Sequence, residues 1–242
     1  MKAMIFAAGL GTRLKPLTSH TPKALIKVAG KTLLQMAIEK LKGFGIHSVV
    51  VNVHHFEGQV VNYLAENNNF GIDISISDES AQLLDTGGGL KKAAALLSGS
   101  EPILLYNVDV LSNVDLARVL EQHIATCSLA TLVVRKRETQ RYLLFDKYNI
   151  LVGWRNDKTG ETKISAPENF ENARPFAFSG IHIISPQLPG LLDEEGVFSI
   201  INAYLKLAKQ HKISGYIDNS SLWMDLGRMD QLEKASEILS GN

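Results

Sequence analysis

The sequence predicts an α/β fold: a mainly parallel, mixed central sheet covered by helices on both faces. Three observations lead to it. Short β-branched apolar runs alternate with longer amphipathic segments up to about Val134. Those runs are apolar almost throughout, as strands buried on both faces are. The segments between them are long enough to cross back over a sheet in the right-handed sense. With 242 residues, 45% hydrophobic and 21% charged, the chain can bury a large core. Its 25 Lys and Arg cancel its 25 Asp and Glu, so no whole-molecule field draws a nucleic acid or an anionic membrane, and neither is expected as a partner. An anionic ligand must be held by local arrangement. Cys127 is the single cysteine and has no internal disulfide partner.

The first strand is predicted over residues 2–7. A basic residue before an apolar run imitates a secretory leader, but Gly9-Leu10-Gly11-Thr12-Arg13 ends the run after about eight residues and places a cation where the cleavage region belongs. A cytoplasmic protein is expected. Leu33, Leu34, Ala37, Ile38 and Leu41 recur at the spacing of one helical face, so residues 33–42 form a helix that Gly43 and Gly45 end. The same reasoning gives strands at 48–53, 72–77, 103–106 and 129–134, with helices at 59–66, 90–97 and 116–125. Beyond Val134 the rhythm changes. Two β runs, 142–145 and 150–154, flank Asp146-Lys147-Tyr148-Asn149 and read as an antiparallel hairpin. The polar stretch 155–173 reads as a loop, 176–184 as a strand, 199–209 as an amphipathic helix, 213–217 as a strand and 228–239 as a closing helix. No repeat or Pro/Gly linker divides the chain, which predicts one domain over 1–242 with a late, small β-rich lobe.

The chemistry is concentrated in Ala7-Ala8-Gly9-Leu10-Gly11-Thr12-Arg13-Leu14-Lys15-Pro16-Leu17-Thr18 and the following Pro22-Lys23. Glycines directly after a buried strand let successive N–H groups approach an anion without Cβ atoms in the way. Arg13, Lys15 and Lys23 add cationic charge suited to several phosphates. Two better-known glycine loops do not fit. A dinucleotide fingerprint needs Gly or Ala where Leu14 stands, and a Walker A loop ending at Gly30-Lys31-Thr32 needs Gly where Leu25 stands.

The run from Ala8 to Thr18 with Pro22-Lys23 resembles the signature of the sugar-1-phosphate nucleotidyltransferases, which join a nucleoside triphosphate to a sugar-1-phosphate and release pyrophosphate. Later segments match in order: Val28-x-Gly30-Lys31, Asp85-Thr86-Gly87-Gly88-Gly89, Asn107-Val108-Asp109, Phe178-Ser179-Gly180 and Trp223-Met224-Asp225-Leu226-Gly227. Among short members the chain is most similar to the N-acetylmuramate-1-phosphate uridylyltransferase branch, which implies a cell-wall nucleotide sugar, with mannose-1-phosphate guanylyltransferases close behind. The resemblance implies a Rossmann-like nucleotide-diphospho-sugar transferase fold, with residues 1–134 as the nucleotide-binding half and 135–242 as the sugar-binding lobe and closing helices. It implies a catalytic set of Arg13, Lys23, Asp109 and Asp225, with Asp109 and Asp225 holding Mg2+. It places the nucleotide on Ala8, Gly9, Leu10, Gly11, Thr12, Arg13, Lys23, Thr86, Gly87, Gly88 and Asn107. Glu79 and Asp85 are either hydrogen-bonding partners of that nucleotide or loop carboxylates. Two features of the chain itself agree. Asp109 follows an apolar strand at the sheet edge where α/β folds bind ligands, and Asp225 lies in an apolar stretch where a carboxylate needs a cation.

Two departures stand out. Val108 occupies a position where many relatives carry Gly, and narrows the space expected near sugar or metal. Ser165-Ala166-Pro167-Glu168 stands where many relatives have Glu-Lys-Pro, so the usual sugar-phosphate lysine is missing. Ser179 and Gly180, then Arg155, Lys163 and Asn169, are the candidate sugar contacts. Arg155, Lys158 and Lys163 lie where a carboxylated sugar would need a cation. Other conspicuous residues have plainer readings: His54-His55 as loop residues, Cys127 as a small buried side chain, Lys91-Lys92 as solvated, and Trp154 and Trp223 as packing at the cleft rim. A glycosyltransferase is disfavoured because Asn107-Val108-Asp109 lacks the first Asp of an Asp-x-Asp motif. A non-catalytic nucleotide-sugar sensor is disfavoured because all four core residues are present. A monomer is compatible with this reading, which fixes no oligomeric state.

Overall fold

Ala3, Met4 and Ile5 are completely buried because their strand, β1 (Lys2–Phe6), runs through the middle of the principal sheet. The computed structural model describes residues 1–241. After β1 come the hairpin β2 (Lys27–Val28) and β3 (Lys31–Thr32), α1 (Leu33–Gly43), β4 (Ser48–Val53), α2 (Glu57–Glu66), β5 (Asp73–Asp78) and α3 (Asp85–Ala93). β6 (Ile103–Asn107), β7 (Val110–Ser112), α4 (Leu116–Thr126) and β8 (Ala130–Arg135) complete the first half. The second half holds β9 (Arg141–Phe145), β10 (Leu151–Asn156), β11 (Thr162–Ile164), β12 (Arg174–Ile184), α5 (Ile200–Leu207), β13 (Ile213–Ile217), β14 (Trp223–Asp225) and α6 (Met229–Ser240).

Ten strands form one sheet in the order β11-β10-β9-β12-β6-β1-β4-β5, with β8 against β12 and β13 against β8. The block β6-β1-β4-β5 is parallel, while β12 runs antiparallel to β6, β8 and β9, so the sheet is mixed and mainly parallel at its centre, as expected. Side chains alternate along β1: Ala3 and Ile5 join the core under α1, α2, α4 and α6, whereas Met4 and Phe6 join the core under α3 and α5. Burial on both faces explains why the strand reads as continuously apolar; each fully buried large side chain contributes about 1.5–3 kcal/mol. The hairpin β9–β10 extends the sheet on the β12 side. Among the described residues, no helix is long and apolar enough to cross a membrane.

Register positions the site. Phe6 lies opposite Asn52 of β4 and Asn107 of β6, and Val53 lies opposite Asp78 of β5. The residues that follow these strands, Ala7–Gly9, Val108-Asp109 and Glu79, therefore emerge together at one carboxyl edge.

Four expectations need correction. α3 begins at Asp85 rather than Leu90, and takes Gly87, Gly88 and Gly89 into its first turns. Helical glycine is disfavoured by about 1 kcal/mol each, but all three are buried, and added Cβ atoms would strike Phe198, the Gly196 carbonyl and Glu79 respectively. The stretch 155–173 contains β11, a three-residue edge strand, Thr162-Lys163-Ile164, too short to show an alternating pattern. Cys127 is exposed, in the left-handed conformation that ends α4. Lys91 is tied to the Glu195 carboxylate and the Glu194 carbonyl, strapping the loop before Phe198 to α3.

Candidate active site

Gly11 adopts φ +62°, a left-handed turn in which an added Cβ would lie 2.8 Å from Thr18 Cγ2 and 3.0 Å from Lys23 Cβ. Its carbonyl accepts from Thr18 Oγ1 at 2.8 Å and from the Leu14 amide at 2.9 Å. Leu14 is buried beneath a short 3-10 turn, Thr12–Leu14, while Gly9, Leu10, Thr12 and Arg13 stay exposed. Among the described residues, the amides of Gly9, Leu10 and Gly11 donate to no group of the chain, an arrangement suited to anions.

Behind this loop lies a cleft of ≈ 420 Å³ whose lining includes Ala8, Gly9, Asn52, Thr86, Asn107 and Asp109. Asn52 accepts from the Ala7 amide at 2.7 Å and donates to Glu79 Oε1 at 2.7 Å, while Glu79 Oε2 accepts from the Leu84 amide at 3.0 Å. Glu79 is completely buried; both its oxygens are satisfied by the chain, and through Asn52 it ties the Ala7 and Leu84 segments to β4. The sequence reading missed Asn52, whose signal was a lone amide inside Val49-Val50-Val51-Asn52-Val53. His54 Nδ1 contacts the Glu79 carbonyl at 2.7 Å, a loop role as expected. Asp85 and Thr86 line the same cleft. Gly87 and Gly88 do not: their amides donate to the Phe198 carbonyl, and the Leu84 carbonyl accepts from Phe198. The glycine run thus allows close packing of α3 against the Gly196–Phe198 segment.

Asp109 and Asp225 are brought together by a two-stranded ribbon. Asp225 of β14 pairs with Val110 of β7, and the Leu226 amide donates to the Asp109 carbonyl at 2.8 Å. Lys23 is ion-paired to Asp109, with both side chains largely buried. Arg13 Nη2 stands 4.0 Å from Asp225 Oδ2, and the Gly227 amide donates to Asp225 Oδ1 at 2.9 Å. A Cβ at Gly227 would fall 2.7 Å from Arg13 Nη2, 2.8 Å from Asp225 Oδ1 and 3.3 Å from Lys23 Nζ, so three of the expected catalytic residues meet around one glycine and Asp109 joins them through its ion pair with Lys23. Beneath them the buried Tyr106 hydroxyl donates to the Val110 carbonyl at 2.9 Å; burial, then the Asp109 charge, pushes its pKa well above the ordinary phenol value. Two neighbouring carboxylates suit a hard divalent cation that completes its shell with phosphate oxygens and water. Among the described residues, no cluster of three acid, His or Cys side chains offers a closed protein cage instead. Val108 does not narrow this space; its side chain is buried in the core.

Toward the lobe the expected sugar contacts divide. Ser179 is buried, and its carbonyl accepts from Trp223 Nε1 at 2.8 Å. Gly180 has φ +76° and backs directly onto Asn107 and Val110. Both lie in the wall that Asn107, Val110 and Trp223 complete. Lys163 lines a second cavity of ≈ 440 Å³ with Trp154, Asn202, Arg137 and Arg141. It donates to Asn202 Oδ1 at 3.0 Å. Arg155 is ion-paired to Asp157 at 2.8 Å and lies over Tyr142, and Asn169 is exposed in a 3-10 turn; neither lines that cavity. Arg137, not singled out from sequence, sits 4.5 Å from the Trp223 ring centroid and donates to the Phe178 carbonyl at 3.1 Å. Burial pulls its pKa down from the usual guanidinium value, and the Asp225 charge opposes that pull. Nothing in its flanking sequence, Arg135-Lys136-Arg137-Glu138, distinguishes it from a solvated charge run.

A nucleotidyl transferase family model matches residues 2–143. The chain is 33% identical over 232 residues to an N-acetylmuramate alpha-1-phosphate uridylyltransferase of Caulobacter vibrioides, covering 93% of this chain and 91% of that one. It is 28% identical to a mannose-1-phosphate guanyltransferase of Yarrowia lipolytica, covering 94% of this chain and 61% of the relative. The solved structure of HddC from Yersinia pseudotuberculosis complexed with GMP-PN superposes with a TM-score of 0.78 at 19% identity, over 98% of this chain and 99% of that one, which shows the shared Rossmann-like fold. By the family match across more than half its length, the chain is an enzyme of the nucleotidyl transferase family.

Proposed function

We propose that the chain transfers a uridylyl group from UTP to N-acetylmuramate-1-phosphate, giving a nucleotide sugar and pyrophosphate. The observation that carries the transfer reading is the convergence of Arg13, Lys23, Asp109 and Asp225 at the mouth of the Ala8–Asn107 cleft. A nucleoside in the cleft directs its phosphates over the Gly9–Gly11 amides, with Arg13 and Lys23 as counter-charges for the triphosphate. Lys23 exchanges Asp109 for phosphate when the anionic substrate enters. Asp109 and Asp225 are the residues that would hold Mg2+, which when bound neutralises charge on the phosphates and polarises the transferred one. The chain's part is positional: the loop fixes the triphosphate, and the β7–β14 ribbon fixes the carboxylates on the side from which a sugar phosphate attacks in line.

The preference for a carboxylated sugar rests on the lobe cavity. Arg137, Arg141 and Lys163 line it against one acid, Glu161, a net positive lining suited to a sugar that carries anionic groups. The near-complete two-way coverage of the Caulobacter relative supports the same reading. The test is pyrophosphate release from UTP and GTP crossed with N-acetylmuramate-1-phosphate and mannose-1-phosphate, with Mg2+ present or chelated. UTP with the acidic sugar is expected to exceed GTP with mannose-1-phosphate at least tenfold in kcat/KM, about 1.4 kcal/mol in transition-state binding. The opposite order would assign the chain to mannose-1-phosphate guanylyl transfer and leave the roles of the four core residues in place.

A further inference from the structure

Asp225 and Trp223 stand on one face of β14, and the cavity in front of them, ≈ 690 Å³, is lined by Arg13, Asp225, Trp223, Arg137 and Arg141 among others. The lobe cavity is lined by Arg137 and Arg141 as well, together with Trp154 and Lys163. Arg137 and Arg141 therefore border both the reaction centre and the sugar side. They differ in how they are held. Arg141 is exposed, and no side-chain hydrogen bond or ion pair fixes its guanidinium among the described residues. Arg137 is half-buried and stacked on Trp223, which is itself fixed by its bond to Ser179, and one Nη2 hydrogen is spent on the Phe178 carbonyl. Its other terminal nitrogen has only a 3.5 Å contact with the Glu138 carbonyl, its Nε is buried without a partner, and no carboxylate pairs with it among the described residues. Arg135 approaches the same ring at 5.6 Å but donates to the Ser221 carbonyl and lines neither cavity. Lys163 is already engaged by Asn202 and Glu161.

A half-buried guanidinium stacked on an indole, with no counter-ion, is a preorganised fork for an oxyanion. We infer that Arg137, oriented by Trp223, binds the phosphate of the sugar-1-phosphate, supplying from the end of β8 the cation that the Ser165-Ala166-Pro167-Glu168 segment lacks. The inference rests on the nucleotidyl-transfer reading, and applies to whichever sugar the enzyme takes. The phosphate then lies between Arg137 and the Asp109–Asp225 pair, on the side of Asp225 away from the nucleoside cleft.

The test uses Arg137→Gln and Arg137→Lys in the full chain, with each substrate varied at saturation of the other, on the substrate pair the unaltered enzyme turns over best. Arg137→Gln is expected to raise KM for the sugar-1-phosphate at least tenfold while KM for the nucleoside triphosphate stays within twofold. Arg137→Lys keeps a cation but loses the fork, and is expected to recover part of the loss; it also carries the test if the Gln variant does not fold. A smaller rise, an equal rise for both substrates, or a Lys variant no better than Gln would overturn the inference. A preference for GTP and mannose-1-phosphate would defeat the substrate reading above and leave this comparison, run on that pair, decisive.

Discussion

Gly227 carries a constraint invisible in a list of charged residues, because Arg13, Lys23 and Asp225 all close around its missing side chain. Gly227→Ala places a methyl 2.7 Å from Arg13 Nη2 and 2.8 Å from Asp225 Oδ1, so one of the charged groups must move. Since the two nearest neighbours, Arg13 and Asp225, are exposed side-chain ends, the cost is expected in turnover more than in folding: a loss of tenfold or more in kcat, with a denaturation midpoint near that of the unaltered protein. Equal activity in the Ala variant would show that the four groups separate when substrate binds. Asp109→Asn and Asp225→Asn address the same point by charge. In the proposed transfer each removes a carboxylate charge beside the phosphates, and each is expected to reduce turnover at least a hundredfold with the circular-dichroism spectrum retained. A folded double variant with near-normal turnover would remove both carboxylates from the mechanism.

At the scale of the elements, what the sequence disclosed depended on whether an element was specified by its own residues or by its neighbours. β4 and β13 were predicted to their end residues, since their apolar runs are bounded by polar turns. α3 was placed five residues late because Asp85-Thr86-Gly87-Gly88-Gly89 has poor helix propensity on its own and becomes helical by packing under Phe198 and Gly196. Gly87 and Gly88, which the resemblance gives to the nucleotide, have their amides bonded to the Phe198 carbonyl in that helix. That Arg13, Lys23, Asp109 and Asp225 lie together agrees with what the family resemblance implies; the places of Asn52 and Arg137 were not legible, since they follow from strand register and from a stacked ring. If α3 is held by contact, Gly88→Ala should be costly, because its Cβ would strike the Gly196 backbone, which has no flexible end to yield. A loss of about 1–3 kcal/mol is expected from urea unfolding. Gly58→Ala, in α2 with nothing within 4 Å, serves as the control and is expected to leave stability unchanged or raise it by up to about 1 kcal/mol. A gain in both variants would mean that helix propensity, rather than the loop contact, dominates at α3.

Over the whole molecule, each core layer carries one buried histidine, and together they couple folding to pH. His123 of α4 is 3% exposed and bonded to Thr131 at 3.0 Å; His182 of β12 is 1% exposed, bonded to Tyr204 at 2.6 Å and enclosed by the Phe6 and Phe178 rings. Burial depresses their pKa values to about 4 and about 3, against about 6.5 in an unfolded chain. Between those limits the unfolded state binds the protons that the native state refuses, so stability rises with pH through the window and falls as pH drops below about 6.5. Each histidine contributes a slope of at most about 1.4 kcal/mol per pH unit, both acting down to about pH 4 and His182 alone just below it. Carboxylates complicate the lower part of the window, but from pH 6.5 to about 5 the histidines dominate, since ordinary acids titrate near 4. Urea midpoints measured across that upper interval are expected to fall steadily for the unaltered protein. The double variant His123→Gln with His182→Gln should lose stability at neutral pH and show a much flatter profile. An equal slope in the double variant would locate the pH dependence in the carboxylates or elsewhere, and remove the two buried imidazoles from the account.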